Sequence, residues 1–376
     1  MLVPFNKPYI NGRELIYIAE AVSAGKISGD GLFTMKCHEF FESHYGFLKV
    51  LMTTSCTDAL EMAAILLNTH PGDEVIVPSF TFVSTANAFA LRGAKIVFVD
   101  SLESNPNICP EQIAEHITEK TKAIVVVHYA GVACDMDKII TLASGFGIPV
   151  IEDAAQAIDS FYKGRALGGI GDLGTFSFHE TKNLISGEGG LISINNSKYI
   201  QRAEIIREKG TNRSAFFRGE ADKYRWVDIG SSFLPSELIS AYLYAQIEQI
   251  KLIQERRLSL WDRYKSTLSG YVERYEVNLP FVPDFAKHNG HMFYLTCRDH
   301  EQRTMLIDGL KARGVHAVFH YLSLHSSPFF APQHSGPNLP NCDRFSNCLV
   351  RLPLFFEMTN MQCDFVCESV LSVLHE

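Results

Sequence analysis

Lys182 lies in the run Gly174 to Gly190, GTFSFHETKNLISGEGG, where a residue able to do covalent chemistry sits between a strand pattern and a glycine cluster. The apolar run Thr175 to Phe178 predicts a buried strand, and the polar residues and glycines after it put Lys182 on a loop at the strand's carboxyl end. Open α/β sheets bind ligands at that end of their strands. A lysine there, with the Ser177 hydroxyl upstream and Gly187, Gly189 and Gly190 downstream as a flexible cluster, could form a Schiff base with an aldehyde cofactor. A solvated surface lysine is the plain alternative, and the loop taken alone favours it.

Other stretches carry chemistry that would complement such a lysine. Thr53 to Asp58, TTSCTD, precedes Leu60, Ala63, Ala64 and Leu67 at helical spacing. The first-turn amides with the Ser55 and Thr57 hydroxyls would make an anion site, to which the helix terminus contributes about 0.3–1 kcal/mol. Helix capping explains the same residues without a ligand. Ile151 to Ala157, IEDAAQA, puts Glu152, Asp153 and Gln156 at another strand end. A carboxylate buried there is costly unless it meets a cation such as a protonated pyridine nitrogen; a helix cap or local salt bridge is the alternative. Phe82, in PSFTFVSTANA, falls at a strand-to-helix corner, where its ring could stack on a flat heteroaromatic group or pack in the core. Lys209 to Trp226, KGTNRSAFFRGEADKYRW, has no clear periodicity and predicts a long loop whose cations, Arg213 and Arg218 among them, could hold a diphosphate or simply face solvent.

These residues need a scaffold. Glu74 to Val77, Lys95 to Asp100, Ala123 to Val127, Ile148 to Ile151 and Leu191 to Ile194 read as buried strands alternating with helical stretches, the pattern of a mostly parallel sheet covered on both faces in an α/β protein. Asn11 and Glu14 make a capping-box pattern for a helix from near Gly12, ended by Gly25, and Gly29, Asp30 and Gly31 follow as a tight turn. A second helix begins near Ser84, and a charged one carries Arg202 and Arg207. Helical signals dominate from Ser236 to Leu268, and a division there gives a large α/β domain, residues 1–245, and a smaller α+β domain, residues 246–376. In the latter, strands are expected over Met292 to Thr296 and Val315 to Tyr321, with helices over Gln302 to Arg313 and from Met361. On a strand His316 and His320 would stand about 13 Å apart, too far to share one ion, so no metal site is read there.

The 376 residues are 46% hydrophobic with a net charge of −8 and no basic block, which argues against nucleic acid or an anionic membrane as partner. Nine cysteines without a Cys-x-x-Cys pair suggest unpaired thiols in a reducing compartment. With no signal-peptide profile and no run near the ~18 apolar residues of a membrane span, a cytoplasmic protein is expected.

Together, SCT before a helix, DAAQ after a strand and SFHETKN resemble the fold-type-I pyridoxal-phosphate enzymes, specifically the DegT family of nucleotide-sugar aminotransferases. The resemblance covers nearly the whole chain and includes GDGLFT, PSFTFVSTANA, VHYAGVACDMD, HYLSLH at 320 to 325 and RLPLFF at 351 to 356, in family order. It implies a mostly parallel seven-stranded sheet domain, a smaller C-terminal α+β domain and pyridoxal 5'-phosphate as cofactor. Under it, Lys182 is the Schiff-base lysine and proton shuttle, Asp153 the partner of the pyridine nitrogen, and Gln156 a neighbour of the phenolic oxygen. Ser55, Thr57, Ser177 and the Cys56 amide form the phosphate cradle, Phe82 stacks on the ring, and Gly29, Asp30, Arg213, Arg218, His320 and Tyr321 are substrate contacts.

The central loop, REKGTNRSAFFRGEADKYRWVDIGSSFL, resembles that of the dTDP-4-amino-4,6-dideoxygalactose transaminases. This implies transfer of the amino group of L-glutamate to C4 of a dTDP-4-keto-6-deoxyhexose, for a cell-surface polysaccharide, by a homodimer with shared active sites. Relatives carry G-x-N-[YF]-R, whose Asn reaches the other subunit's phosphate; this chain has Ser232 at the Asn position, Leu234 for the Arg, and Ser323 where relatives usually have Pro. Related deoxysugar dehydratases carry His in place of the lysine, which Lys182 opposes. A non-catalytic cofactor-binding regulator is opposed by the retention of every catalytic residue.

Overall fold

The computed structural model describes residues 1–376. The apolar runs become strands β1 (Lys49–Thr53), β2 (Glu74–Pro78), β3 (Lys95–Val99), β4 (Thr121–Val127) and β5 (Val150–Asp153). Two short strands, β6 (Phe161–Tyr162) and β7 (Arg165–Ala166), lead to β8 (Leu173–Ser177) and β9 (Gly190–Ile194). The central sheet has seven strands in the order β1-β9-β8-β5-β4-β2-β3. From β8 to β3 every pairing is parallel, whereas β9 runs against both β8 and β1. The carboxyl ends of β5 and β8 therefore lie side by side, with Asp153 in register with Thr175. Expected strand limits were off by up to two residues; Pro149, for example, delays β5 to Val150.

Helices cover both faces because the strands are apolar on both. In chain order these are α1 (Glu14–Ser23), α2 (Leu32–Tyr45), α3 (Cys56–Leu66), α4 (Val83–Ala90), α5 (Pro110–Glu115), α6 (Met136–Phe146), α7 (Ile200–Arg207), α8 (Arg213–Phe217), α9 (Glu237–Ile247) and α10 (Ile250–Leu268). One core joins α3, α4 and α7 to Val75, Val77 and Ile151; the other joins α2, α6 and α9 to Ile76, Ile124 and Val150. Alternation along each strand sends neighbours to opposite cores. The first helix begins at Glu14 rather than near Gly12, since Glu14 turns back to accept the N–H groups of Asn11 and Gly12, each at 2.9 Å. Sequence periodicity missed α2, which has no local side-chain cap; its first amides are held by the remote Glu237 carboxylate, which accepts from the amides of Gly31 (2.9 Å), Phe33 (2.8 Å) and Thr34 (3.1 Å).

The remaining elements are α11 (Val272–Tyr275), β10 (Ala286–Lys287), β11 (Phe293–Thr296), α12 (His300–Ala312), β12 (Val318–Phe319), α13 (Pro340–Cys348), β13 (Leu349–Leu352) and α14 (Asn360–His375). Here β11-β13-β12 form one small sheet and β10-β6-β7 another. A third core draws on residues from Leu260 onward together with Val3. Along α10, Ile250 and Ile253 belong to the second core and Leu260, Trp261, Tyr264 and Leu268 to the third, so this helix joins the two parts. The strand expected from Val315 to Tyr321 is a correction: only Val318 and Phe319 pair with β13. Val315 bridges to Val3, and at Tyr321 the backbone turns left-handed, φ 47°, which no strand continues through.

Candidate active site

The segment carrying Lys182 closes the antiparallel pair β8 and β9. Phe178 and Ser186 tie it across its base, with Phe178 N–H to the Gly189 carbonyl at 2.9 Å and Ser186 N–H to the Phe178 carbonyl at 2.7 Å. The next residue, Asn183, is buried and donates to Gln254 Oε1 (2.8 Å) and the Asn289 carbonyl (2.9 Å), while its Oδ1 meets His291 Nδ1 at 2.8 Å. The lysine thus sits on a fixed backbone. Burial lowers the Lys182 pKa, against the opposing pull of Cys56 and Asp153, and favours the neutral amine that a nucleophile or base requires.

Asp153 ends β5 and is 5% exposed. Its Oδ2 accepts from Thr85 Oγ1 at 2.7 Å and its Oδ1 from the Ala155 amide at 3.1 Å; Thr85 is in turn bonded to Thr81. Burial raises its pKa despite those donors, so the carboxylate lacks a strong cationic partner. Glu152 faces the other core, where it meets His128 at 2.9 Å and accepts from the amides of Gly168, Ile170 and Gly171. Its role is to pin the turn before β8.

Ser55 caps α3, its Oγ accepting from the Asp58 amide at 3.0 Å, so the capping expected from sequence is present. The amides of Cys56 and Thr57 precede the first intrahelical bond. Thr57 Oγ1 meets Ser84 Oγ at 2.8 Å, joining the starts of α3 and α4 at one point. Gly190 was expected in a flexible cluster; it lies instead within β9 against Ser55 and Cys56, with no room for a Cβ.

These groups converge on one cavity of about 400 Å³. Of the candidates, Ser55, Cys56, Thr57, Phe82, Asp153, Gln156, Ser177, Lys182, His320 and Tyr321 line it. Phe82 stands at the rim, 55% exposed, with its ring centroid 6.1 Å from that of Tyr321. Gln156 is engaged at both ends, accepting from the Ala130 amide (2.6 Å) and donating to the Tyr321 hydroxyl (3.0 Å). His320 Nδ1 meets the Tyr129 hydroxyl at 2.7 Å, and burial holds both His320 and His291 well below the usual histidine pKa.

Sequence reasoning missed Ser84, His291 and Arg351 in these walls. Ser84 and Arg351 lie inside motifs that were quoted without a role for them; His291 follows an unremarkable glycine and has no local signal.

The other candidates are not brought to this cavity. Asp30, with φ 58°, accepts two bonds from Arg207, at 2.7 and 2.8 Å, and Gly29 packs on Leu234 and Pro235. Arg213 pairs with Glu208, and Arg218 with Glu204 and Glu220. Ser232 is exposed and bridges through its backbone to Glu208. The expected long loop contains the short helix α8, and its aromatic residues Phe217 and Trp226 are 68% and 79% exposed.

A mostly parallel sheet with a buried carboxylate and a lysine at neighbouring strand ends is the architecture of fold-type-I pyridoxal-phosphate aminotransferases. The aminotransferase TlmJ from Streptoalloteichus hindustanus superposes with a TM-score of 0.91 at 27% identity, over 100% of this chain and 99% of that one. The DegT/DnrJ/EryC1/StrS aminotransferase family profile matches residues 8–371, and the chain belongs to that family. The spore coat polysaccharide biosynthesis protein SpsC of Bacillus subtilis (strain 168) is 30% identical over 384 residues, covering 99% of this chain and 97% of its own. Uncharacterized protein MJ1066 of Methanocaldococcus jannaschii is 31% identical over 386 residues, 100% and 98% of the respective chains.

Pyridoxal phosphate is the cofactor, and the donor set suits it. The cavity offers uncommitted amides at a helix start for an anion and a buried carboxylate in need of a cation. No helix is long and apolar enough to cross a membrane.

Proposed function

We propose that this chain transfers the amino group of L-glutamate to C4 of dTDP-4-keto-6-deoxy-D-glucose, giving dTDP-4-amino-4,6-dideoxy-D-galactose for a cell-surface polysaccharide. The observation that carries the reaction type is the meeting of Lys182 and Asp153 in one cavity from adjacent strands. The sugar rests on the resemblance of the loop from Arg207 to Leu234, and the polysaccharide role is supported by the name of SpsC.

Bound pyridoxal phosphate supplies an electron sink that makes loss of a proton from the donor's α-carbon feasible. The chain does the rest. Asp153, held by Thr85 and Ala155, keeps a proton on the ring nitrogen by presenting a carboxylate to it. Lys182 Nζ, made less basic by burial, takes up and returns the migrating proton. The Cys56 and Thr57 amides with the Ser55, Thr57 and Ser177 hydroxyls would hold the phosphate, and Phe82 and Gln156, in the wall of the same cavity, would hold the ring. Ser232, exposed on its own chain, reaches the phosphate of a second copy in a homodimer. Residues 1–245 and 246–376 are taken as the two domains, with His320 and Tyr321, the two substrate candidates that line the cavity, beside the sugar nucleotide.

Incubation with glutamate and a panel of keto-sugar nucleotides, with products read by NMR, tests the proposal. An axial 4-amine from dTDP-4-keto-6-deoxy-D-glucose is expected. An equatorial amine, or turnover only of another keto-deoxysugar nucleotide, replaces the substrate but not the reaction; no amination of any of them removes both.

A further inference from the structure

Just past the end of β2, Ser79 meets the single turn Leu324–Ser326 of the C-terminal part of the chain. Ser79 is wholly buried and His325 is 8% exposed, and neither lines the cavity that holds Lys182. The Leu324 amide donates to the Ser79 carbonyl at 3.0 Å, and the His325 amide donates to Ser79 Oγ at 3.2 Å. With its oxygen accepting that amide, the Ser79 hydroxyl donates to His325 Nδ1 at 2.8 Å. Nδ1 is therefore the acceptor of the ring, and Nε2 carries the proton. Nε2 faces Asp343 Oδ1 on α13 at 3.5 Å, a long contact to a side chain that is 46% exposed.

Serine, histidine and aspartate in this order suggest a nucleophile, but no surface of Ser79 is open to a substrate. The contact instead joins two walls of the cavity. On one side, Phe80 follows Ser79 and packs its ring 5.8 Å from that of Tyr321, while Thr81 bonds Thr85, which donates to Asp153. On the other, Tyr321 precedes His325 in the same segment, accepts from Gln156 at 3.0 Å and has its backbone left-handed, φ 47°. A non-glycine residue keeps that conformation only where its surroundings fix it. The Ser79 contact and the Gln156 bond hold the segment from its two ends.

We propose that His325, as a neutral imidazole, is a positioning residue that fastens the segment bearing Tyr321 to the end of β2 and so fixes two facing walls of the cavity. A proton on Nδ1 would confront the Ser79 hydroxyl proton and leave that hydroxyl without its acceptor. The charged and titratable groups facing the ring are Asp343 on α13, Asp100 just after β3 and His334. Burial holds His325 below the ordinary histidine pKa and His334 adds to this, against the pull of Asp343 and Asp100. The fastening is thus complete above the unfolded value of about 6.5 and is lost as pH falls through the lower folded value. Its effect on catalysis rests on the aminotransferase reading above; the contact itself does not.

The test is hydrogen exchange over residues 320–327 of the cofactor-loaded protein, corrected for the chemical rate, for wild type, H325N, H325L and S79A between pH 7.5 and 5. The Asn amide oxygen takes the place of Nδ1 as acceptor and does not titrate. Wild type and H325N should protect the amides at 324 and 325 alike at pH 7.5, and H325L and S79A at least tenfold less. Towards pH 5 the wild-type protection should fall while that of H325N holds. Single-turnover amination of the cofactor by glutamate should weaken at least threefold in apparent Kd in H325L and S79A, and H325N should restore it. If H325L fails to fold, S79A decides. Protection in S79A equal to wild type overturns the proposal, as does the same acid loss in H325N as in wild type, or an unchanged apparent Kd in S79A. If the exchange pattern holds but no amino acid aminates the cofactor, the aminotransferase reading fails and the fastening stands.

Discussion

Replacing Gly190 with Ala should damage the proposed phosphate end of the site through backbone contact alone. Gly190 pairs with Thr53 on one side and Ser177 on the other, and the start of α3 lies directly over it. An added Cβ would stand 2.2 Å from the Ser55 carbonyl carbon, 2.3 Å from its oxygen and 2.5 Å from the Cys56 nitrogen, where ordinary contact begins at 3.4 Å. The obstacle is main chain, so no side-chain rotation relieves it, and α3 or β9 must move by about 1 Å. Overpacking of this kind costs about 1–3 kcal/mol. Because Ser55, the Cys56 amide and Ser177 are the groups displaced, about 1.4 kcal/mol of that cost appearing in binding would weaken the cofactor tenfold. Chemical-unfolding midpoints of the apo-proteins and cofactor titrations of wild type and G190A measure the two parts. Wild-type values in both would refute the reasoning. Lower stability with unchanged affinity would show β9 giving way and the phosphate cradle staying in place.

Borohydride reduction of the holoenzyme should leave the cofactor attached to Lys182 on peptide mapping; recovery on another lysine removes the central assignment. Asp153→Asn should retain cofactor yet slow its amination by glutamate roughly a thousandfold, about 4 kcal/mol of transition-state stabilisation, and near-normal rates would make Asp153 structural. Mixing inactive Lys182→Ala with inactive Ser232→Trp should restore activity if Ser232 acts across a dimer, because one mixed site is then wholly native; continued inactivity with subunit exchange verified argues against a shared site. His288, packed on Trp261 and accepting from the Gly290 amide at 3.1 Å, has its pKa lowered to about 4 by burial. Its contribution to stability is present above the unfolded value near 6.5 and is lost as pH falls toward about 4, where the unfolded chain takes the proton first. Unfolding midpoints of wild type and His288→Gln should therefore converge between pH 7 and 4.5, and parallel curves would contradict this.

The parallel strands were legible because continuous Val and Ile runs are what a sheet buried on both faces requires. Lys182 and Asp153 were legible because they follow such runs directly, and the α3 cap because Ser55 precedes Leu60, Ala63, Ala64 and Leu67 at helical spacing. What sequence could not supply came from distant partners: α2 relies on Glu237 for its cap, and His291 reaches the cavity through Asn183. The strand expected at Val315 to Tyr321 failed because periodicity does not register the left-handed turn at Tyr321. Arg351 sat in a recognised motif, yet only the folded chain shows it in the cavity wall.

Glu152 and Asp153 are consecutive, and the pleat sends one to tie down the turn at 168–171 and the other into the cavity. An insertion or deletion of one residue early in β5 would flip both to the opposite face, so that the cavity and the turn amides each lose the carboxylate now placed there. Point substitutions can tune either carboxylate, but length changes in this strand strike both at once. Drift in chain length across the family should therefore collect in the surface loops, while the four residues of β5 keep their number.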